Sequence, residues 1–142
     1  MTTTPEQNIA LVRTAYRAME NGDLDAAVGM LTEDFLAHVH GAAEPLPGRD
    51  VWRYGAQGMR DAFPDLTITV RDIFATGDKV TVLVLMEGTH QGAFQQFEAS
   101  GARVAFRSVE VYRVAGGRIA EEWVAPDLLQ LMQQIGAAPV GL

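Results

Sequence analysis

The sequence contains no cysteine, so disulfides, thiolate nucleophiles and cysteine metal sites are all excluded. Basic residues are few: 11 Lys and Arg stand against 18 Asp and Glu, and the formal charge of -7 would repel a phosphate backbone. The cations are scattered rather than gathered in a stripe, and nucleic acid is not an expected partner. No apolar run approaches the ~20 residues that a membrane helix needs. The start MTTTPEQN has neither the basic end nor the apolar stretch of a leader, so a cytoplasmic protein without membrane contact is expected. Gly-rich phosphate loops, nucleophile elbows and nucleotide fingerprints are also missing.

What is present is an ordinary globular composition, 48% hydrophobic and 20% charged over 142 residues. A single domain over residues 1–142 can bury roughly two thirds of its extended-chain surface. Thr4, Pro5 and Gln7 form a helix start of the capping-box kind, and Ile9, Val12, Tyr16 and Met19 follow at helical spacing. Asn21-Gly22 ends that helix. Asp23 caps a short second one carrying Leu24, Ala27, Val28 and Leu31, and a short strand is expected from Phe35 to His40. A loop rich in Pro and Gly spans Gly41 to Gly48. It precedes a third helix with an apolar stripe of Val51, Trp52, Gly55, Ala56, Met59, Ala62 and Phe63, closed by Pro64.

The pattern then changes to period two: Leu66–Phe74, Lys79–His90, Ala102–Val114 and Arg118–Val124 read as strands, with hairpin turns at Gly77-Asp78 and Gly116-Gly117. Asp127 caps a last short helix, Leu128–Ile135. Helices followed by antiparallel strands predict an α+β fold, a bent sheet covered on one face by helices with room for a small apolar ligand between the layers.

The strand Val104–Val114 carries the informative residues. One alternating set is Val104, Phe106, Ser108, Glu110, Tyr112 and Val114; the other is Ala105, Arg107, Val109, Val111 and Arg113, and period alone does not choose the inward set. With a three-residue loop Ala115–Gly117, Glu110 lies opposite Glu122 on one face; with a Gly116-Gly117 loop it pairs with Trp123 and the two glutamates separate. The three-residue loop is favoured. Two neighbouring half-buried carboxyls cannot both ionise cheaply, so one would hold a proton while the other stays a base. Two solvated glutamates on an open edge are the plain alternative.

His38 and His40 alternate on the short strand and His90 ends another, without the compact spacing of a zinc motif, so no metal is expected. A pocket histidine acting as base or donor is the other reading, and a surface or core histidine the plain one. Asp127 is most simply a helix cap, and Trp52, Met59 and Phe63 are helix core that can double as pocket wall.

Five segments in order, Ala62-Phe63-Pro64-Asp65-Leu66, Gly77-Asp78-Lys79-Val80, Gly88-Thr89-His90-Gln91-Gly92, Tyr112-Arg113-Val114 and Pro126-Asp127-Leu128-Leu129 with Gln134-Ile135-Gly136, resemble the SnoaL-like polyketide cyclases of the nuclear transport factor 2-like superfamily. The resemblance implies a conical barrel, a curved antiparallel sheet packed on three to four helices. It also implies a cofactor-free pocket and dimers or tetramers joined through sheet contacts. Family cyclases close a ring by intramolecular aldol condensation, with an aspartate on the last strand and a histidine on the strand before it. Here the family's Glu-His-Trp-Asp stretch reads Glu121-Glu122-Trp123-Val124, so Val124 stands at the aspartate position and Glu110 at the histidine position. Valine transfers no proton, so the aldol mechanism is not carried over unchanged. The same alignment puts 110, 122 and 124 on the pocket face. Phe97-Glu98-Ala99-Ser100-Gly101 replaces a Pro-Pro-Thr-Gly turn, a change expected at the pocket entrance.

The leading expectation is a cofactor-independent cyclase, isomerase or hydratase for a small apolar or polycyclic carbonyl compound. Glu110, Glu122 and His38 are the catalytic candidates, and Trp52, Met59, His40, His90, Phe106, Tyr112, Val124 and Asp127 the substrate contacts. The main alternative, suggested by Val124, is a non-catalytic binding or accessory protein. An epoxide hydrolase-like activity ranks lower, because related folds use Asp, Arg, Tyr and Asn clusters and this chain has no asparagine after Asn21.

Overall fold

The computed structural model describes residues 2–139; residue 1 and residues 140–142 of the expected domain lie outside the described residues. The described residues form four helices and six strands in the order α1 (Pro5–Glu20), α2 (Leu24–Gly29), β1 (Leu31–His38), β2 (Leu46–Pro47), α3 (Arg49–Ala62), β3 (Thr67–Thr76), β4 (Lys79–Thr89), β5 (Arg103–Ala115), β6 (Arg118–Pro126) and α4 (Leu128–Gln134). Gln7 N–H donates to Thr4 Oγ1 at 3.1 Å and Thr4 N–H to Gln7 Oε1 at 2.9 Å, completing the capping box of α1. The far end of α1 is closed by a residue distant in sequence: Arg60 of α3 donates to the carbonyls of Met19 at 3.2 Å and Glu20 at 2.8 Å. Leu31 leaves the second helix and opens β1, so the first strand starts four residues before the expected Phe35 and stops at His38.

The strands form one curved sheet in the order β2-β1-β6-β5-β4-β3. It stays open, with β2 and β3 at its edges, and it is mixed rather than wholly antiparallel, since β1 runs parallel to β6. The parallel pair follows from the chain path: α3 and the β3–β5 meander intervene between β1 and β6. α1 packs over β3 and β4, α3 over β1, and α4 over β5. On β5 the inward set is Val104, Phe106, Ser108, Glu110, Tyr112 and Val114, all buried, while Arg107 and Val109 are exposed. Phe35, Phe63, Phe106, Val80, Val82 and Leu131 belong to the apolar core, each burial stabilising by about 1.5–3 kcal/mol.

The β5–β6 hairpin follows neither register read from the sequence. Its loop is Gly116-Gly117, with Ala115 opposite Arg118 and positive φ at both glycines, 58° and 80°, as a two-residue turn on twisted strands requires. A bulge then follows: Val114 pairs with Ile119 but Arg113 with Glu121, leaving Ala120 as the extra residue. Ile119 and Ala120 are both buried, which strict alternation would forbid. The bulge shifts the rest of β6 by one residue, so Glu110 faces Val124 and Tyr112 faces Glu122. Both glutamates thus occupy the inward face, as diagonal neighbours rather than direct partners.

Candidate functional site

Between the inner face of the sheet and the helices lies a cavity of about 630 Å³. Its wall is mostly apolar; Trp52 and Met59 of α3 and Met86 and Phe106 of the sheet contribute to it. A buried polar cluster on its wall is built from β5, β6 and α1: Glu110, Tyr112, Glu122 and Tyr16. Both glutamates are 6% exposed.

Glu110 is held by three neutral donors. Tyr16 Oη donates to Oε1 at 2.6 Å, Tyr112 Oη to the same oxygen at 2.8 Å, and Ser108 Oγ to Oε2 at 2.8 Å. The two phenol oxygens are themselves 2.8 Å apart. Burial, reinforced by the charge of Glu110, raises the pKa of both tyrosines well above the ordinary phenol value, so they remain neutral donors through the physiological range. Glu122 accepts and donates no hydrogen bond among the described residues. Burial and then the neighbouring Glu110 charge push its pKa from 4.5 to about 8, so at neutral pH it holds a proton and presents it to the cavity. Like-charge coupling and desolvation therefore separate two chemically identical side chains into an acceptor and a donor.

Of the residues expected from the sequence, Glu110, Glu122, Trp52, Met59, His40, Phe106, Tyr112 and Val124 line this cavity. Three others do not. His38 occupies the opposite face of the sheet, where Nε2 hydrogen-bonds Glu121 at 2.6 Å and the ring stacks on Trp123 with centroids 4.9 Å apart. The reason is alternation along β1: Phe35 and Ala37 point into the core, so His38 points out. His90 is fully buried beside Phe63, away from the cavity; its Nδ1 accepts from Ser100 N–H at 3.1 Å and lies 2.8 Å from Ser100 Oγ. Its Nε2 has no partner among the described residues. Asp127 caps α4, accepting from Gln130 N–H at 3.0 Å, and sits 3.8 Å from Arg107 on the surface. The three histidines do not join a cluster of potential metal ligands among the described residues.

The expected pocket entrance at Phe97–Gly101 is displaced as well. The preceding residues Ala93, Phe94 and Gln95 line the cavity, whereas Ser100 serves to hold His90. This segment is brought close to α3 by Gly92, where an added Cβ would lie 2.0 Å from the Asp61 carbonyl oxygen.

Tyr16 is the site residue that sequence reasoning missed, having been assigned to the apolar stripe of α1. The available signal was its hydroxyl: a tyrosine on a stripe otherwise made of Ile, Val and Met needs a polar partner inside. Ser108 stood out as polar on the inward strand set, but nothing in the sequence connected it to Glu110.

The family model described as SnoaL-like polyketide cyclase matches residues 10–135. No curated protein matches the chain at a significant level. Among solved structures, IdmH, a proposed polyketide cyclase from Streptomyces antibioticus, is 31% identical, with a TM-score of 0.78 over 92% of this chain and 99% of its own. AclR, a proposed hydroxylase from Streptomyces galilaeus, is 25% identical with a TM-score of 0.88, covering 98% of this chain and 87% of that one. A SnoaL-like protein from Jannaschia sp. CCS1, at 24% identity and a TM-score of 0.87, covers 98% of both chains and is similar in fold. With the match spanning both glutamates and every strand of the sheet, this chain belongs to the SnoaL-like polyketide cyclase family.

Proposed function

We propose that the protein is a cofactor-independent acid/base enzyme that cyclises, isomerises or hydrates an apolar, carbonyl-bearing or polyketide-like small molecule. The observation that carries this reading is the pair Glu110 and Glu122 on one cavity wall, one held by three donors and the other without a hydrogen-bond partner among the described residues. A carboxylate with four lone-pair directions and three donors retains one for a substrate C–H proton. Glu110 takes that proton from the carbon next to a carbonyl. Glu122 donates its own to the carbonyl oxygen, so the negative charge that passes to the substrate is neutralised where it develops. Tyr16 and Tyr112 hold the base in place and stay neutral donors beside it. The glutamate pair thereby supplies the proton transfers that Val124, at the family's aspartate position, cannot.

The test is turnover of polycyclic aromatic ketones by the natural chain and by a variant carrying both Glu110→Gln and Glu122→Gln. Loss of turnover with the fold intact is expected, and unchanged turnover would contradict the assignment. A crystal soaked with the same ketones should show the carbonyl within hydrogen-bond reach of Glu122.

A second reading is a binding or accessory protein that holds an intermediate without converting it. Val124 opposite Glu110 favours it, since the family's acid/base position is silent. Tight binding that survives the double Gln change, with no turnover, would select it. For an epoxide hydrolase-like activity no observation speaks: neither arginine nor asparagine lines the cavity among the described residues.

Assembly into dimers or tetramers through the outer sheet face, and a cytoplasmic location, belong to the same proposal. Phe74, Leu83 and Val109, 53%, 37% and 47% exposed on three adjacent strands, supply an apolar surface for the sheet contact. None of the described helices is long and apolar enough to cross a membrane.

A further inference from the structure

The buried acid groups of the cavity have no cationic partner. Glu110 and Glu122 face it, and no Lys or Arg does among the described lining residues; Asp61, which also lines it, is exposed and accepts from Gln57, and His40 is a basic side chain on the wall. The three arginines of α3 are engaged elsewhere: Arg49 donates to the Leu31 carbonyl, Arg60 to the end of α1, and Arg53 to Asp25. Buried carboxylates ordinarily have a cationic partner or a metal. Here the Glu110 carboxylate has two phenols and a serine instead, all neutral.

Glu122 adds an independent observation. It is 94% buried, lines the cavity, and has no hydrogen-bond partner among the described residues, so its complement has to come from whatever fills the cavity. The surrounding wall suits a cation too, because Tyr16, Trp52, Phe106 and Tyr112 bring aromatic rings to the same space. An anionic ligand would meet the Glu110 carboxylate with no Lys or Arg to screen it, and a neutral ligand would leave that carboxylate without a cationic partner.

We infer that the cavity selects a ligand bearing a protonated amine on an apolar, ring-containing body, with the ammonium group donating to Glu122 beside Glu110. This rests on the cavity being the ligand site proposed above, and it is independent of turnover. An ammonium seated on Glu122 displaces the proton that the proposed mechanism gives to a carbonyl oxygen, so the class inferred here is a ligand that the cavity binds rather than one that it turns over. On binding, Glu122 gives its proton to the medium, or to the ligand if the free amine enters. The ammonium N–H then occupies the donor position that Glu122 held, and the number of protons in the site is conserved.

Three probes of one shape isolate the charge: anthracenylmethylamine, anthracenylmethanol and anthracene carboxylate, titrated at pH 7 by fluorescence and by calorimetry. The amine is expected to bind about tenfold more tightly than the alcohol, and the carboxylate about tenfold more weakly than the alcohol. The binding enthalpy of the amine, and not of the alcohol, should vary with the ionisation heat of the buffer, reporting the released proton. Glu122→Gln should erase the preference for the amine over the alcohol, with an unchanged far-ultraviolet circular dichroism spectrum showing that the fold remains formed. Equal binding of amine and alcohol, tightest binding of the carboxylate, or a preference that persists in Glu122→Gln would each overturn the inference while leaving the cavity reading standing. Failure of all three probes to bind would overturn the inference together with the cavity reading.

Discussion

Glu121 and Glu122 are adjacent on β6 and differ in almost everything the fold can impose. Glu121 points to the outer face, where Oε2 meets His38 Nε2 at 2.6 Å and Oε1 accepts from Arg113 Nε at 3.0 Å. The hydrogen bond with His38 is the largest effect and lowers its pKa below the usual carboxylate value; burial, next in size, opposes it, and the hydrogen bond and charge of Arg113 add to the lowering. Glu122 points inward, has no hydrogen-bond partner among the described residues, and rises to about 8 through burial and then the neighbouring Glu110 charge. The outer face treats its acid as a structural ion and the inner face treats its acid as a proton store. Two residues of identical chemistry become different reagents through the side of the strand they occupy.

The largest expected difference between the two is in the pH dependence of stability. A folded-state pKa of about 8 against 4.5 means that the folded chain keeps a proton which the unfolded chain releases across that window. Stability is therefore greatest below the unfolded value and falls as pH rises through the window to about 8, by on the order of 5 kcal/mol for this one group. Urea unfolding at intervals from pH 5 to pH 9 should show the decline, and Glu122→Gln should remove most of it. Glu121 acts with the opposite sign: its contribution is present above the usual carboxylate value and disappears as pH falls through its lowered folded value.

A smaller effect separates Tyr16 from its outward counterparts. Tyr16→Phe deletes a hydroxyl that bonds both Glu110 and Tyr112, and a loss of about 1–2 kcal/mol is expected in equilibrium unfolding. On the outer face, Glu121→Gln weakens partly exposed contacts and should cost about 0–1 kcal/mol. His38→Ala likewise should leave ligand affinity in the cavity unchanged, because the ring lies on the other side of the sheet. Finally, Val109→Asp should leave the cavity intact and shift assembled copies toward monomer in sedimentation experiments. An unshifted mass would sever the outer face from assembly.

Much of this comparison could be read before any coordinates. The capping box at Thr4 and the hairpin at Gly77-Asp78 rest on local patterns whose physical meaning is short-range, whereas the pocket-facing placement of Glu110 and Glu122 rests on the family resemblance, since period alone does not choose the face. The bulge at Ala120 was not legible, because an extra residue in a strand has no mark in composition or alternation when its neighbours, Ile119 and Ala120, are both apolar. The correct face was reached through the wrong register, since a two-residue loop plus one bulge residue and a three-residue loop restore the same parity. His38 and His40 part company because β1 ends at His38: alternation from Phe35 and Ala37 sends His38 outward, while His40, beyond the strand, reaches the cavity. Tyr16 was missed for a different reason: its partner lies 94 residues away, and only the packing of α1 across the sheet brings the two together. The capping of α1 by Arg60 is of the same kind.

The account turns on whether Glu122 holds a proton at neutral pH beside Glu110. An NMR titration of the glutamate side-chain carboxyls in the folded protein measures this directly. Glu122 is expected to titrate near pH 8, and to move to lower pH when Glu110 is changed to Gln and the neighbouring charge is removed. A Glu122 that titrates with the exposed glutamates, and does not respond to Glu110→Gln, would contradict the acid/base pair on which the proposed function rests.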